Sequence, residues 1–239
     1  MKRVTYFLLW ILALILLFYF LRMPLASSEP HPSQVTMPLA GQVIVLDPGH
    51  GGVDGGADHG DIYEKSIVLN TTLYLRDYLL GAGAEVHLTR DRDKDLAPEE
   101  MKGYSKRKAY DIRKRVDFIQ EKNADLFVSL HLNSMPNERW KGGQAFYYPG
   151  DENEALAEAV QERIRETTET NRSAFSTSNI YILKRAETTG TLVELGFLSN
   201  SSEREKLLTD DYQRELAFAV YQGIIEYVQG EHETGNQVD

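Results

Sequence analysis

The sequence predicts an α/β fold: one domain with a largely parallel sheet of about six strands flanked by helices, behind an N-terminal hydrophobic membrane segment. Three observations predict it. Short apolar runs bounded by Gly, Pro, Asn and Asp alternate with stretches of helical period. The alternation continues over residues 42–228, as in sheets whose parallel strands are joined by crossover helices. Residues 4–21 form an uncharged apolar run.

That run, VTYFLLWILALILLFYFL, has 18 residues. As a helix it reaches roughly 27 Å, close to the bilayer hydrocarbon thickness. Lys2 and Arg3 precede it and Arg22 follows, so the N-terminus is expected to stay in the cytoplasm while the remainder crosses. The length fits an uncleaved anchor; Ala26, Ser27 and Ser28 just downstream fit a cleaved signal segment. Either way the chain is expected to be exported, membrane-anchored or secreted. Residues 1–22 are therefore the membrane segment and 23–41, with Pro24, Pro30, Pro32 and Pro38, an extended linker. Residues 42–228 form the domain and 229–239 a polar, frayed tail.

Within the domain, residues 43–46 (VIVL) read as a buried strand running into Asp47-Pro48-Gly49. A helix follows from Glu64 to about Leu80, with Val68, Thr72, Leu75 and Leu79 on one face. Residues 85–89 are a second strand, 91–105 a charged surface loop and 106–122 a second helix. Strands are expected at 125–131, 144–148, 179–183 and 191–195. Asp151 and Glu154 suggest a capping-box start to a helix reaching about 171, and Ser202 with Glu205 a second such start. Tyr212, Leu216, Ala219, Val220, Gly223, Ile224 and Tyr227 build the apolar face of the last helix.

Composition narrows the chemistry. At 42% hydrophobic and 26% charged, the chain is that of an ordinary folded domain. It has no cysteine, which excludes disulfides, thiolate nucleophiles and cysteine-ligated metals. A metal must then use His, Asp or Glu, which favours zinc and leaves other divalent ions open. Beyond residue 22 there are 23 basic and 36 acidic side chains, a balance of -13. Such a surface repels phosphate backbones, so no nucleic-acid partner is expected.

In α/β folds ligands bind at the carboxyl ends of strands. His50 lies just past the first strand, in DPGHGG; His131 closes DLFVSLH; Glu194 lies near the end of TLVEL; Glu64 opens a helix after a glycine-rich stretch. Singly, each has a structural reading: a satisfied histidine, or a carboxylate favoured at a helix start. Glu194 is harder to place so, because an unpartnered carboxylate in an apolar strand is costly. Jointly, two histidines and a carboxylate make a three-ligand zinc site with an open position. Such a site activates water, and a further carboxylate can move its proton. His31, His59, His87 and His232 are assigned no role.

The segments DPGHGGVDGGADHG with Tyr63-Glu64-Lys65, LTRDRD, NADLFVSLHLNS and VELGFLSN, in this order, resemble the zinc-dependent N-acetylmuramoyl-L-alanine amidases of bacterial cell walls. The likeness covers about residues 42–228. The short chain with one hydrophobic segment is most similar to sporulation- and germination-specific members, which remove stem peptides from spore cortex so that muramic lactam forms. The resemblance implies that His50, Glu64 and His131 bind Zn2+ and that Glu194 is the catalytic acid/base. It implies second-shell or substrate contacts for Asp47 and Asn133, and structural ion pairs for Arg90 and Arg115. Peptidoglycan is the implied substrate. Regulated relatives carry an inserted helix over the zinc; residues 134–178 here hold one helix pattern, assigned to the core, so control by an activating protein partner or by timed expression is expected instead. A peptidase of the same zinc chemistry and a non-catalytic wall-binding module are the rival readings.

Overall fold

The computed structural model describes residues 2–22 and 37–235, with side chains to residue 230. Most of the expected linker, 23–36, and the last four residues lie outside the described residues. Helix α1 (Lys2–Arg22) has 21 residues, about 32 Å of helix. None of its residues is buried, and residues 4–21 carry no charged side chain.

The second unit begins at Met37. Residues 37–41, expected as linker, instead form a turn with Leu39 fully buried and its N–H donating to the Ala82 carbonyl (3.0 Å). Then come β1 (Val43–Pro48), the short ribbon β2 (Asp58–His59) and β3 (Ile62–Tyr63), α2 (Glu64–Gly81) and β4 (Glu85–Leu88). They are followed by α3 (Tyr104–Glu121), β5 (Leu126–Asn133), β6 (Gln144–Tyr147), α4 (Asp151–Thr168) and β7 (Phe175–Ser176). Last are α5 (Tyr181–Arg185), β8 (Thr189–Phe197), α6 (Ser201–Leu207) and α7 (Asp210–Gly235).

The main sheet has six strands in the order β4-β1-β5-β8-β6-β7. β4, β1, β5 and β8 run parallel, and β6 joins β8 antiparallel. Central strands in such a sheet are covered on both faces, which explains why β1 and β5 read as nearly unbroken apolar runs. One face packs Leu75 and Leu79 of α2, Val160 and Ile164 of α4, and Leu216, Val220 and Ile224 of α7 against Leu46, Val128 and Val193. The other packs Val116 and Ile119 of α3 and Ile182 and Leu183 of α5 against Val45, Phe127 and Leu192.

Four local expectations differ. Residues 179–183 are not a strand; helix α5 begins at Tyr181. Short apolar runs fit either state, and here Ile182, Leu183 and Ala186 bury one helical face against the α3 side. The sixth strand is instead β7, beside β6. The Asp151–Glu154 capping box is absent: Gly150 is the N-cap, and Glu154 Oε1 accepts from the Tyr147 hydroxyl (2.5 Å). The cap of α6 is Asn200, two residues before the expected Ser202, and its side chain accepts from the Glu203 N–H (3.1 Å). Finally, α7 continues past Val228 to Gly235, where a frayed tail was expected.

Two buried arginines fasten the end of β1. Arg90 donates from Nε to the Pro48 carbonyl (2.9 Å) and from Nη2 to those of Gly49 and Lys65 (2.8 Å each). Arg115 of α3 donates to the Pro48 carbonyl (2.7 Å) and to that of His50. Arg115 also pairs with Asp47 (2.7 Å) and Asp111 (2.9 Å), both buried. Asp47 in turn accepts from the Thr89 and Ser129 hydroxyls (2.6 Å each). Burial raises the Asp47 carboxyl, but Arg115 and the two hydroxyls outweigh it and hold it down to about 2.

Removing one partner of a buried pair leaves the other charge uncompensated. Arg115→Met is expected to lower the unfolding free energy by about 3–5 kcal/mol in urea titrations. A loss under about 1 kcal/mol would show that the pair does not hold the fold. Because the Asp47 carboxyl lies at about 2 in the folded chain against 3.8 ordinarily, its contribution is full above pH 4. It disappears as pH falls toward 2, so stability should drop over that window and Asp47→Asn should flatten the drop.

Candidate metal centre

The ends of β1 and β5 lie side by side, with Pro48 opposite Leu130. That pairing brings together two histidines from distant parts of the sequence. His50 follows β1 with φ of 60°, a left-handed conformation that a non-glycine residue keeps only when its surroundings impose it. The arginines holding the Pro48, Gly49 and His50 carbonyls impose it here. His131 lies near the end of β5, partly exposed. The ring centroids are 4.9 Å apart at 78°.

Glu64 opens α2, turned inward by the β2–β3 ribbon. Its Oε1 is 3.2 Å from His50 Nε2 and 3.0 Å from His131 Nδ1. Glu64 does lie in the first turn of α2, as the helix-start reading expects, but Tyr63 is the N-cap and the cap makes no side-chain bond. Instead Glu64 Oε2 accepts from the Ala57 N–H (2.7 Å) and Oε1 from the Leu132 N–H (2.9 Å). Burial raises this carboxyl, but the bonds with His131 and His50 prevail and hold it well below the carboxylate range. One ligand atom from each of His50, Glu64 and His131 lies within 4.8 Å of the others, so the trio can hold a metal ion.

Two glycines make the approach possible. A Cβ on Gly49 would lie 2.3 Å from the His131 ring. One on Gly56, whose φ is +73°, would lie 2.4 Å from Glu64 Oε2 and 2.7 Å from His50 Cδ2.

Asp54, which no sequence expectation singles out, orients His50. Its Oδ2 accepts from His50 Nδ1 (2.9 Å), which leaves Nε2 facing Glu64. Asp54 is itself fixed by Lys108 (2.9 Å), the Tyr104 hydroxyl (2.9 Å) and the Gly56 N–H (3.2 Å). The available signal was the GGVDGG turn, in which Gly51 and Asp54 bridge each other. Burial lowers the His50 proton affinity, but the bonds to Asp54 and Glu64 win and push its pKa up to about 9. A metal must therefore displace a firmly held proton.

Glu194 stands opposite His131 in the β5–β8 register. Its Oε2 is buried with no hydrogen-bond partner among the described residues. Burial pushes its carboxyl up to about 7, the Glu64 charge adds to the rise, and His131 and His50 oppose it. Beside the histidines, Ile112, Ile180, Ile182 and Leu192 line a cleft between α3 and α5.

The remaining expectations separate. Asp47 bonds Arg115, Thr89 and Ser129 and none of the three ligand side chains. Asn133 ends β5, two residues past His131, partly exposed. Arg115 forms buried ion pairs, whereas Arg90 binds backbone carbonyls. His59 is exposed and His87 bonds Glu85 (2.7 Å); His31 lies outside the described residues. Helix α4, within residues 134–178, packs on α7 and β8 and does not cover the trio.

Residues 44–226 match the family model described as N-acetylmuramoyl-L-alanine amidase. The germination-specific N-acetylmuramoyl-L-alanine amidase of Bacillus subtilis is 41% identical over 229 residues, 95% of this chain and 96% of that protein. Among solved structures, the CwlD amidase from Clostridioides difficile, in complex with the GerS lipoprotein, matches with TM-score 0.77 and 35% identity. That match covers 79% of this chain and 98% of the other. The catalytic domain of CwlV from Bacillus (Paenibacillus) polymyxa var. colistinus matches with TM-score 0.69 and 27% identity, over 79% and 98%. With its family model spanning the sheet and every residue of the trio, the chain belongs to the N-acetylmuramoyl-L-alanine amidases, hydrolases of peptidoglycan that act outside the cytoplasm.

Proposed function

We propose that this amidase holds one zinc ion through His50 Nε2, Glu64 and His131 Nδ1. We further propose that it removes stem peptides from muramic acid in spore cortex, where the product forms the muramic lactam needed for germination. The observation that carries the reading is the convergence of three ligand atoms within 4.8 Å beside a buried carboxylate oxygen that lacks a partner. Two neutral imidazoles and a carboxylate suit zinc, and three protein ligands leave a position open. When bound there, zinc polarises a carbonyl and lowers the pKa of water toward neutrality.

The protein's residues do the rest. Asp54 takes the His50 Nδ1 proton into a hydrogen bond, so that Nε2 presents its lone pair. The Leu132 and Ala57 N–H groups hold Glu64 in one orientation. Glu194, with an unengaged oxygen, accepts a proton from the attacking water and returns it to the departing alanine nitrogen. Asn133 offers its amide to substrate. Helix α1 keeps the domain at the outer membrane face, and the naming of a germination-specific relative supports the cortex setting. A relative solved with a lipoprotein supports control by a partner protein.

Metal analysis of His50→Ala should find the zinc lost; full occupancy would remove His50 from the ligand set. Gly56→Ala should also weaken zinc binding with all three ligands intact, because the new Cβ meets Glu64 and His50. Glu194→Gln should retain zinc and lose about 10²–10⁴-fold in kcat on peptidoglycan. Wild-type turnover by that variant would eliminate Glu194 as the base. A base works only when deprotonated, and burial raises this carboxyl from 4.5. Activity should therefore fall on the acid side above the ordinary carboxylate range, and a limb near pH 4 would contradict the assignment. Product analysis by mass spectrometry must show intact stem peptides with a free N-terminal alanine and peptide-free muramic acid residues in the glycan; shortened stems still attached would indicate a peptidase.

A further inference from the structure

Next to the metal centre, β6 joins β8 antiparallel, with Gln144 opposite Glu194. Directly opposed residues share a face of the sheet, so Gln144 lies on the same face as Glu194. The Gln144 side chain accepts from Arg172 Nη1 (3.1 Å). Arg172 thus bonds the cross-strand neighbour of Glu194 directly.

Arg172 is held in place. Its guanidinium stacks on Trp140 (5.3 Å) and Phe197 (5.1 Å), and Nε donates to the Lys141 carbonyl (3.2 Å). The loop carrying Trp140 is pinned by Glu203, which accepts from the Gly142 and Phe197 N–H groups (2.8 Å each). Yet Arg172 Nη2 has no acceptor among the described residues. None of Arg172, Arg139 and Lys141 has an ion-pair partner among them either. These three cations, the 47% exposed Trp140 and one acid, Glu169, line one open groove in which cations outnumber the acid. In a chain of net charge -10 such a group is out of character with the surface. A planar guanidinium fixed on aromatic faces, with a free N–H edge, suits a carboxylate.

We propose that Arg172, seated on Trp140, determines substrate choice by binding a carboxylate of the peptide stem, with Arg139 and Lys141 drawing the anion in. The proposal rests on the amidase reading, because the departing half of that substrate is a peptide and a peptide ends in a carboxylate. The cleft between α3 and α5 is different: Ile112, Ile180, Ile182 and Leu192 line it, and its cations Lys108 and Arg115 are already paired with Asp54, Asp47 and Asp111. Among the described residues, unpaired cations beside Glu194 thus lie on the Arg172 side, and the proposed stem contact lies that way.

The test uses the zinc-loaded full chain in detergent and two muropeptides that differ only in free against amidated stem carboxylates. Wild type is expected to cleave both, with KM about tenfold lower for the free acid. Arg172→Gln should raise KM about tenfold on the acid, leave kcat within about twofold, and leave the amidated substrate unaffected. Arg172→Lys should restore part of the preference. An equal fall in kcat on both substrates, or a preference that survives Arg172→Gln, would overturn the proposal. So would competition by peptide-free glycan strands in place of free stem peptide. If wild type cleaves neither substrate, the amidase reading fails by itself. Calorimetric binding of free stem peptide to the Glu194→Gln chain still decides the subsite, and binding that persists in Arg172→Gln rejects it.

Discussion

The grip of two buried guanidiniums on three consecutive carbonyls is the constraint on which the centre depends. Pro48, Gly49 and His50 would otherwise be an ordinary loop leaving a strand. Arg90 and Arg115 hold their oxygens from two directions, one arginine just past β4 and one on α3. Two like charges side by side are tolerable because Asp47 and Asp111 face them from β1 and α3. The result is a histidine locked in a left-handed conformation, with its ring aimed across the strand ends. The same grip ties α3 to β1, so the helix that carries Lys108 and Tyr104 is set at the height needed to reach Asp54.

From that fixed point the centre is assembled by register. His131 and Glu194 meet because β5 and β8 pair in parallel with those residues opposed. Glu64 comes from outside the sheet, and its position depends on two backbone N–H groups and a glycine with no side chain in its way. The electrostatics divide the acids by neighbourhood. Asp47 and Glu64 are surrounded by donors and stay ionised, whereas Glu194 is shielded from water without a donor and its carboxyl rises to about 7. Like groups in unlike surroundings acquire unlike roles.

Much of this was legible in the sequence, and the reasons are physical. Buried parallel strands announce themselves as apolar runs, and the residues at their ends follow from the rule for open sheets. That is why His50, His131 and Glu194 could be named as a group. The misread element, 179–183, is five residues in which Ile, Tyr, Ile and Leu alternate with nothing, so period could not choose between strand and helix. The expected caps differ because Glu154 bonds Tyr147 instead of closing a capping box, and because Asn200, ahead of the expected Ser202, supplies the side-chain cap of α6. Asp54 was passed over for a similar reason. In a glycine-rich turn an aspartate looks like turn chemistry, and only the fold reveals the histidine beside it.

The parts of the centre are spread from His50 to Glu194, across the ends of three strands and a helix start. The three candidate ligands come together only when β1, β5 and α2 are packed, so an ion bound as proposed would stabilise that fold by mass action. Folding and metal loading are then a single equilibrium. For a chain whose work lies beyond the cytoplasm, that equilibrium is settled where the sheet closes. The ions available in that compartment, rather than those managed at the site of synthesis, decide what occupies the three ligands.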